Sequence, residues 1–486
     1  MKNTKFDSLL ILCTVILFNS TSSKLLAQFP DPPVPISISA NWTLEKNQAS
    51  ASFGSSVAEA GDVNGDGYAD VIVGAPLFDN GQTDEGAAFL YYGSAVGLSA
   101  TPGWSMQSNQ VGAQFGFSVS TAGDVNNDGY SDVIVGAPYY DNGQNDEGRA
   151  YLYLGTEAGL SESAIWIDES DSAAAYFGYD VNSAGDVNGD GFGDIILSAV
   201  GYDIWVECCT EINNAGMVFV YHGNASGMDN EPDFTVTNYN NEASYGDEVA
   251  GTGDVNGDGY DDIIIGASTN GWDAPGSAFL YHGSSTGIVN IIEWTPISYG
   301  ESQYMGTSVA SAGDVNGDGY DDVIVSAPGY DTWYPGPDED IFVYYGGPEG
   351  LTTIGWACNK AEGNFGKSVA SAGDVNGDGY SDIIVGSNYY SHGQNSEGAI
   401  FVYTGGPSGL PGTTSWVAES NQANAYFGSS VSGAGDINGD GYDDFMAGAW
   451  NYDNGQTDEG QVRESFEKPL DNFSMTSNLF FLVVET

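Results

Sequence analysis

Asp62-Val63-Asn64-Gly65-Asp66-Gly67-Tyr68-Ala69-Asp70 sets an oxygen-bearing side chain at every second position, bends the chain at two glycines, and runs straight into the apolar stretch Asp70-Val71-Ile72-Val73-Gly74-Ala75. The string begins again at Asp124, Asp186, Asp254, Asp314, Asp374 and Asp436, in steps of 62, 62, 68, 60, 60 and 62 residues. A near-constant period marks a repeat architecture with one supersecondary block per unit. Departures are few: Asn127 replaces the first glycine of its loop, and Phe192 replaces the tyrosine of the next.

Each unit reads as four strands. A small-residue segment such as Ser56–Gly61 precedes the acidic loop, and the β-branched run follows it. A run this short, bounded by turn residues, is a buried strand rather than a helix. Third comes Ala88–Gly93 or its counterparts, and fourth a segment around Trp104, Trp166, Phe234, Trp294, Trp356 or Trp416. Four-stranded apolar sheets must bury both faces, and stacking them radially around a channel does so. The expectation is an all-β, seven-bladed β-propeller of antiparallel blades. A linear solenoid is the alternative. Closure is favoured because the seventh unit has no fourth strand after it, while Asn41-Trp42-Thr43 stands alone at the start. Trp42 is therefore expected to complete the last blade.

Two further motifs recur. Phe53-Gly54, Phe115-Gly116, Phe177-Gly178, Tyr245-Gly246, Phe365-Gly366 and Phe427-Gly428 hold one fixed place, with Met305-Gly306 in the fifth unit. Gly74-Ala75-Pro76 and Gly136-Ala137-Pro138 follow the apolar strand and decay to Gly266-Ala267-Ser268, Ser326-Ala327-Pro328 and Gly448-Ala449-Trp450. Over roughly residues 41–460 the chain resembles the FG-GAP repeat family, best known from integrin alpha-subunit propellers. That resemblance implies seven blades with calcium in the loop between each blade's first two strands.

The loop chemistry points the same way. Asp62, Asn64, Asp66 and Asp70, with the Tyr68 carbonyl, make an all-oxygen donor set, which suits calcium over zinc or copper. The equivalent sets are Asp124, Asn126, Asp128, Asp132 with Tyr130, and Asp186, Asn188, Asp190, Asp194 with Phe192. Next are Asp254, Asn256, Asp258, Asp262 with Tyr260, and Asp314, Asn316, Asp318, Asp322 with Tyr320. The last two are Asp374, Asn376, Asp378, Asp382 with Tyr380, and Asp436, Asn438, Asp440, Asp444 with Tyr442. An EF-hand loop is rejected, because its twelfth-position glutamate would fall on Val73 and no helix flanks the loop. A metal-free Asn-Gly or Asp-Gly turn is the plainer reading of one copy. Seven copies, each crowding three carboxylates, would repel without a cation. Up to seven Ca²⁺ are expected.

Composition narrows the function. The 486 residues carry 67 Asp+Glu against 9 Lys+Arg, a net charge of −58. No basic stripe exists for phosphate neutralisation or for an anionic membrane surface, so nucleic-acid partners are excluded. Acidic disorder is opposed by the 13% aromatic content. Lys2, Lys5 and the apolar Leu9–Phe18 read as a secretory signal over residues 1–28, followed by a Pro-rich linker at 29–40, the propeller at 41–466 and an irregular tail at 467–486. No stretch reaches membrane-spanning length. A secreted, extracellular protein is expected. Removing the signal leaves Cys208, Cys209 and Cys358, an odd set for which buried thiols, one long-range bridge and a vicinal bridge all stay open.

The loops after the apolar strand carry Phe78-Asp79-Asn80-Gly81-Gln82, Tyr140-Asp141-Asn142-Gly143-Gln144 and Tyr452-Asp453-Asn454-Gly455-Gln456. They are expected on the face opposite the acidic loops, as turn chemistry with an aromatic packed between blades. The irregular loops Ile204–Asn214 and Trp333–Asp340 are open to function or drift. Catalysis finds little support. His222 and His282 fall at matching positions where other units have Tyr92 or Tyr345, and no nucleophile or zinc motif occurs. The expectation is a calcium-binding adhesion module, not an enzyme, taking a protein or glycan on that opposite face. The alternative is a propeller enzyme acting on polysaccharide through surface carboxylates. Finally, Arg463 and Glu464 stand where the seventh third strand should be apolar. They are expected to turn outward, leaving that strand short or irregular and the ring weakly closed.

Overall fold

Alternate residues of each β-branched strand enter two different cores, because side chains along a strand point to opposite faces. Val71 and Val73 pack with Met446 and Val462 of the seventh blade, while Ile72 packs with Val133 and Val135 of the second. Asp70–Ala75 is consequently buried at every position. Seven such apolar clusters occur among the described residues, one between each pair of neighbouring blades.

The structure is a computed structural model that describes residues 42–465, apart from 207–209, 239, 241–242, 270–274, 297–303, 329–339, 353–354 and 361–362. The signal, linker and tail assignments lie outside the described residues, as do Cys208, Cys209 and Trp333. The architecture is all-β, with antiparallel blades and no helix among the described residues. The first blade orders Ser56–Gly61, Asp70–Ala75, Ala87–Tyr91 and Trp104–Gln107 from axis to rim. Blades two, three, five and six repeat this order. In the fourth, the rim strand is reduced to a single bridge between Leu280 and Trp294.

The inner strands close a ring, Ser56–Gly61 touching both Val119–Gly123 and Ser430–Gly435. Small hydroxyl side chains stitch it. Val119 N–H donates to Ser56 Oγ, Val181 to Ser118, Val369 to Ser308, Val431 to Ser368 and Val57 to Ser430, at 3.1–3.2 Å. Asp180 Oδ2 takes the same place for Val249 N–H at 2.8 Å.

The Phe-Gly and Gly-Ala pairs are one contact. Phe53, Phe115, Phe177, Phe365 and Phe427 are all buried, and Phe115 meets the third-strand Tyr151 at 5.1 Å. A Cβ on Gly74 would lie 2.0 Å from the carbonyl oxygen of Gly116 in the next blade, so only glycine admits that approach.

Trp42–Glu45 pairs antiparallel with Gln461–Ser465, with Trp42 opposite Glu464 and Glu45 opposite Gln461. The N-terminal strand therefore completes the seventh blade, as its lone tryptophan implied. The expected irregular third strand is overturned. Gln461–Ser465 pairs along its whole length with Asp444–Ala449 on one side and with Trp42–Glu45 on the other. Such double pairing fixes the register, and with it which face each side chain takes. Glu464 is 3% exposed and neither carboxylate oxygen has a partner among the described residues. Arg463 does not escape outward either. It takes the place held by Phe89 and Tyr151 elsewhere, with its guanidinium 5.1 Å from the Tyr452 ring and 5.5 Å from Phe427. It donates to Gln461 Oε1 and to the carbonyls of Glu419 and Ser420.

Candidate metal centres

Each acidic loop folds around its first aspartate. Asp62 Oδ1 accepts from the N–H groups of Gly65 and Asp66 at 2.7 and 3.1 Å, and its Oδ2 accepts from Gly67 at 2.8 Å. Asn64 Oδ1 accepts from Asp66 N–H, and Asp66 Oδ1 from Tyr68 N–H. The side-chain oxygens thereby turn to the inside of a tight loop. The pattern around Asp186 matches it bond for bond, and the first aspartates of the other loops bind the same turn.

The ninth-position aspartate has a role that sequence reading missed. Asp70 is fully buried; its Oδ2 accepts from Val63 N–H and its Oδ1 from Gly93 N–H, tying the acidic loop to the loop after the third strand. Asp132, Asp194, Asp262, Asp322 and Asp382 make the same pair of bonds. Burial, opposed in part by these bonds and reinforced by the charges of Asp66 and Asp62, pushes Asp70 up to about 7. Asp262 and Asp444 are pushed to about 8 by burial and their own loop carboxylates. In each loop the charges of the first two aspartates act on the buried ninth-position carboxyl, although three carboxylate oxygens of one loop do not come within 4.8 Å of one another, and no cationic side chain pairs with these carboxylates among the described residues. Hard oxygens with surplus negative charge fit a divalent cation of the calcium class.

The loops form a ring of their own. Ser131 N–H donates to the Asp62 carbonyl, and the same bond links every successive pair round to Ala69 N–H and the Asp436 carbonyl. The chain matches the FG-GAP repeat model over residues 53–91, 115–153, 177–221, 245–287, 305–344, 365–403 and 427–463, more than half its length. It belongs to the FG-GAP repeat family. Curated relatives of this FG-GAP chain include integrin alpha pat-2 of Caenorhabditis briggsae, 34% identical over 220 residues, 41% of this chain and 17% of that protein. Mouse integrin alpha-IIb is 35% identical over 166 residues, 32% of this chain and 16% of the relative, and chicken integrin alpha-V 34% over 173 residues, 34% and 16%. The matched part thus spans about a sixth of each relative's length.

On the face opposite the FG-GAP acidic loops, the repeated aromatic-Asp-Asn-Gly segments pack as the plainer reading expected. Phe78 meets Phe89 edge-on at 5.4 Å, and Tyr140 meets Tyr151 at 6.5 Å. Their aspartates join a clasp between blades: Gln110 Nε2 donates to the Asp141 carbonyl while Gln110 Oε1 accepts from Asp141 N–H. Gln48 and Asp79, and Gln422 and Asp453, repeat it. Aromatics close by in the chain are a different matter. Tyr389 is 45% exposed and meets Tyr426 at 5.4 Å, and Tyr426 stacks on Trp450 at 5.3 Å. Tyr426 holds a φ of 54°, strained backbone for an aromatic residue. A second group joins Phe117, Tyr139, Tyr176 and Tyr179. The signal for both lay in large aromatics at positions where other units have Ser52, Gln114 or Pro76.

His222 and His282 are framework. They lie against Gly287 and Gly350, as Tyr92 and Tyr345 lie against Gly159 and Gly409. Cys358 is a buried free thiol. In the irregular third-blade loop, Ile204–Val206 pairs with Thr210–Ile212 as a short hairpin.

Proposed function

We propose that this chain is a secreted, calcium-loaded binding module that works in adhesion, with a protein or glycan ligand on the face opposite the acidic loops. The observation that carries it is the ring of seven acidic loops, each wound around its first aspartate, each setting two aspartate charges near a buried third, and each bonded to the next. In the first loop the ion would be held by Asp62, Asn64, Asp66, Asp70 and the Tyr68 carbonyl; the other six sets follow by position. Bound calcium supplies the missing positive charge and stiffens one face. The chain's own residues orient the other, where Tyr389, Tyr426 and Trp450 offer aromatic faces of the kind that stack on sugars or on protein side chains. Similarity to integrin alpha subunits supports the adhesion reading.

Calcium removal tests the loops. Sites of this type bind at about 10⁻⁴–10⁻³ M, so millimolar calcium should raise the melting temperature well above that in excess chelator. Asp66→Ala should lower the bound calcium by one ion and leave the other sites filled. An unchanged melt in chelator would sink the calcium reading. Glycan and protein arrays probed with and without calcium test the ligand face, with signal expected only in calcium.

A further inference from the structure

A second kind of acidic cluster lies in the second blade, away from every acidic loop. One carboxylate oxygen from each of Glu147, Glu169 and Asp171 lies within 4.8 Å of the others. Glu147 is 0% exposed. Its Oε1 accepts from the backbone N–H groups of Asn142 and Gln144, whereas its Oε2 is buried with no partner among the described residues. A buried carboxylate oxygen without a donor is unfavourable unless something binds it.

The local charge does not balance. Arg149 donates from Nε to Glu169 Oε2 at 2.9 Å and lies with its guanidinium 3.9 Å from the centre of the Tyr140 ring. That is one positive charge against three carboxylates. Asn142 Nδ2 donates to the other Glu169 oxygen. Rotating that amide by half a turn would present Oδ1 to the same space, adding a fourth oxygen.

Other blades show what the buried glutamate does alone. Glu85, Glu397 and Glu459 hold the same position and are equally buried, each with an unpartnered oxygen. In the first blade the flanking residues are the neutral Gln107 and Asn109, and in the sixth and seventh the second flank is Asn421 or Asn47. There the glutamate braces its own loop, with Asn80 and Gln82 N–H groups on Glu85 Oε1. The three-carboxylate grouping is found in the second blade among the described residues.

We propose that Glu147, Glu169 and Asp171, with Asn142, form an additional site for a hard divalent cation, Ca²⁺ or an ion of its class, on the rim of the face opposite the acidic loops. The all-oxygen set and the surplus of two negative charges select such an ion over a soft transition metal. None of its residues belongs to an acidic loop, so the site stands whether or not those loops hold calcium.

Native mass spectrometry of the mature protein at saturating calcium tests it by counting ions. Asp171→Asn changes an exposed residue and should not disturb folding; it should bind one ion fewer than wild type. Glu147→Gln keeps a carbonyl acceptor for the loop, and the Glu147→Gln/Asp171→Asn double variant should show the same loss of one. Asp66→Ala combined with Asp171→Asn should lose two. A wild-type count of one that falls to zero in Asp171→Asn would support this site while refuting the loops. A double variant that binds as many ions as wild type would overturn the proposal.

Discussion

Asp70 and its six counterparts are buried carboxyls held far above the ordinary aspartate range. Burial and loop neighbours raise Asp70 from 3.8 to about 7, and Asp132, Asp194, Asp322 and Asp382 likewise to about 7. A carboxyl with a raised folded pKa binds protons that the unfolded chain has already released. In calcium-free protein these groups therefore lose stability as pH climbs from about 4 to about 7. Bound calcium favours the ionised form and reverses the sign. The melting temperature in calcium minus that in chelator should accordingly widen from about pH 5 to about pH 7.5. Two parallel melting profiles would argue against cation binding at these aspartates. The same scale explains two departures from the repeat. A Cβ on Gly65 would come 2.7 Å from the Tyr130 ring of the next loop, and Gly189, Gly257, Gly317, Gly377 and Gly439 meet a tyrosine in the same way. Asn127 has lost that glycine, and the residue one loop on is Phe192, which lacks the hydroxyl. The two substitutions fall on one contact.

Among the strands, Gln461–Ser465 shows register overriding side-chain preference. Glu464 lies opposite Met446, as Leu90 lies opposite Ile72 and Leu152 opposite Ile134. Pairing on both edges holds it inward, where burial first and the charge of Asp444 second push it up to about 9. It is protonated in the folded state at neutral pH, and its contribution falls as pH rises from about 4.5 to about 9. Glu464→Leu restores the residue type of the other blades. It should stabilise the protein by about 1–3 kcal/mol, read as a higher melting temperature with a flatter decline above neutral pH. A lower melting temperature would show that the carboxyl has a bonding role. Arg463 fits its strand by another route, since a guanidinium lying against Tyr452 and Phe427 replaces the usual third-strand aromatic.

At the scale of the whole molecule, the ring depends on a strand drawn from the far end of the chain. Leu44 is 4% exposed and packs with Phe53, Val57, Met446 and Val462 in the cluster that joins the last blade to the first. Leu44→Ala should cost about 2–4 kcal/mol, as much as a core truncation in any other blade. Circular dichroism melts of Leu44→Ala and of Leu90→Ala should therefore show losses of similar size. A negligible effect at Leu44 alone would mean that the ring does not need its closing strand. The sparse cations follow the same logic of placement. Lys46, Arg149, Lys360 and Arg463 each lie over an aromatic ring, Lys46 at 4.0 Å from Phe89 and Lys360 at 4.4 Å from Phe401. Lys367 instead lines the central channel of about 730 Å³ with Asp180, Asp247 and Glu248.

By itself the sequence determined the repeat, the blade number, the strand order and the acidic loops. Each is a local pattern: Asp62–Asp70 and Val71–Ala75 specify loop and strand with contacts close along the chain. The closing strand was legible too, because Trp42 lacked three partners that the seventh unit lacked a fourth to match. Only the tertiary structure decided where Arg463 and Glu464 point, since that depends on strands pairing from both ends of the chain. It alone also revealed the second task of Asp70, the serine ring around the axis and the meeting of Glu147 with Glu169 and Asp171. Those depend on which residues from separate turns of the chain face one another, and no local pattern encodes that distance.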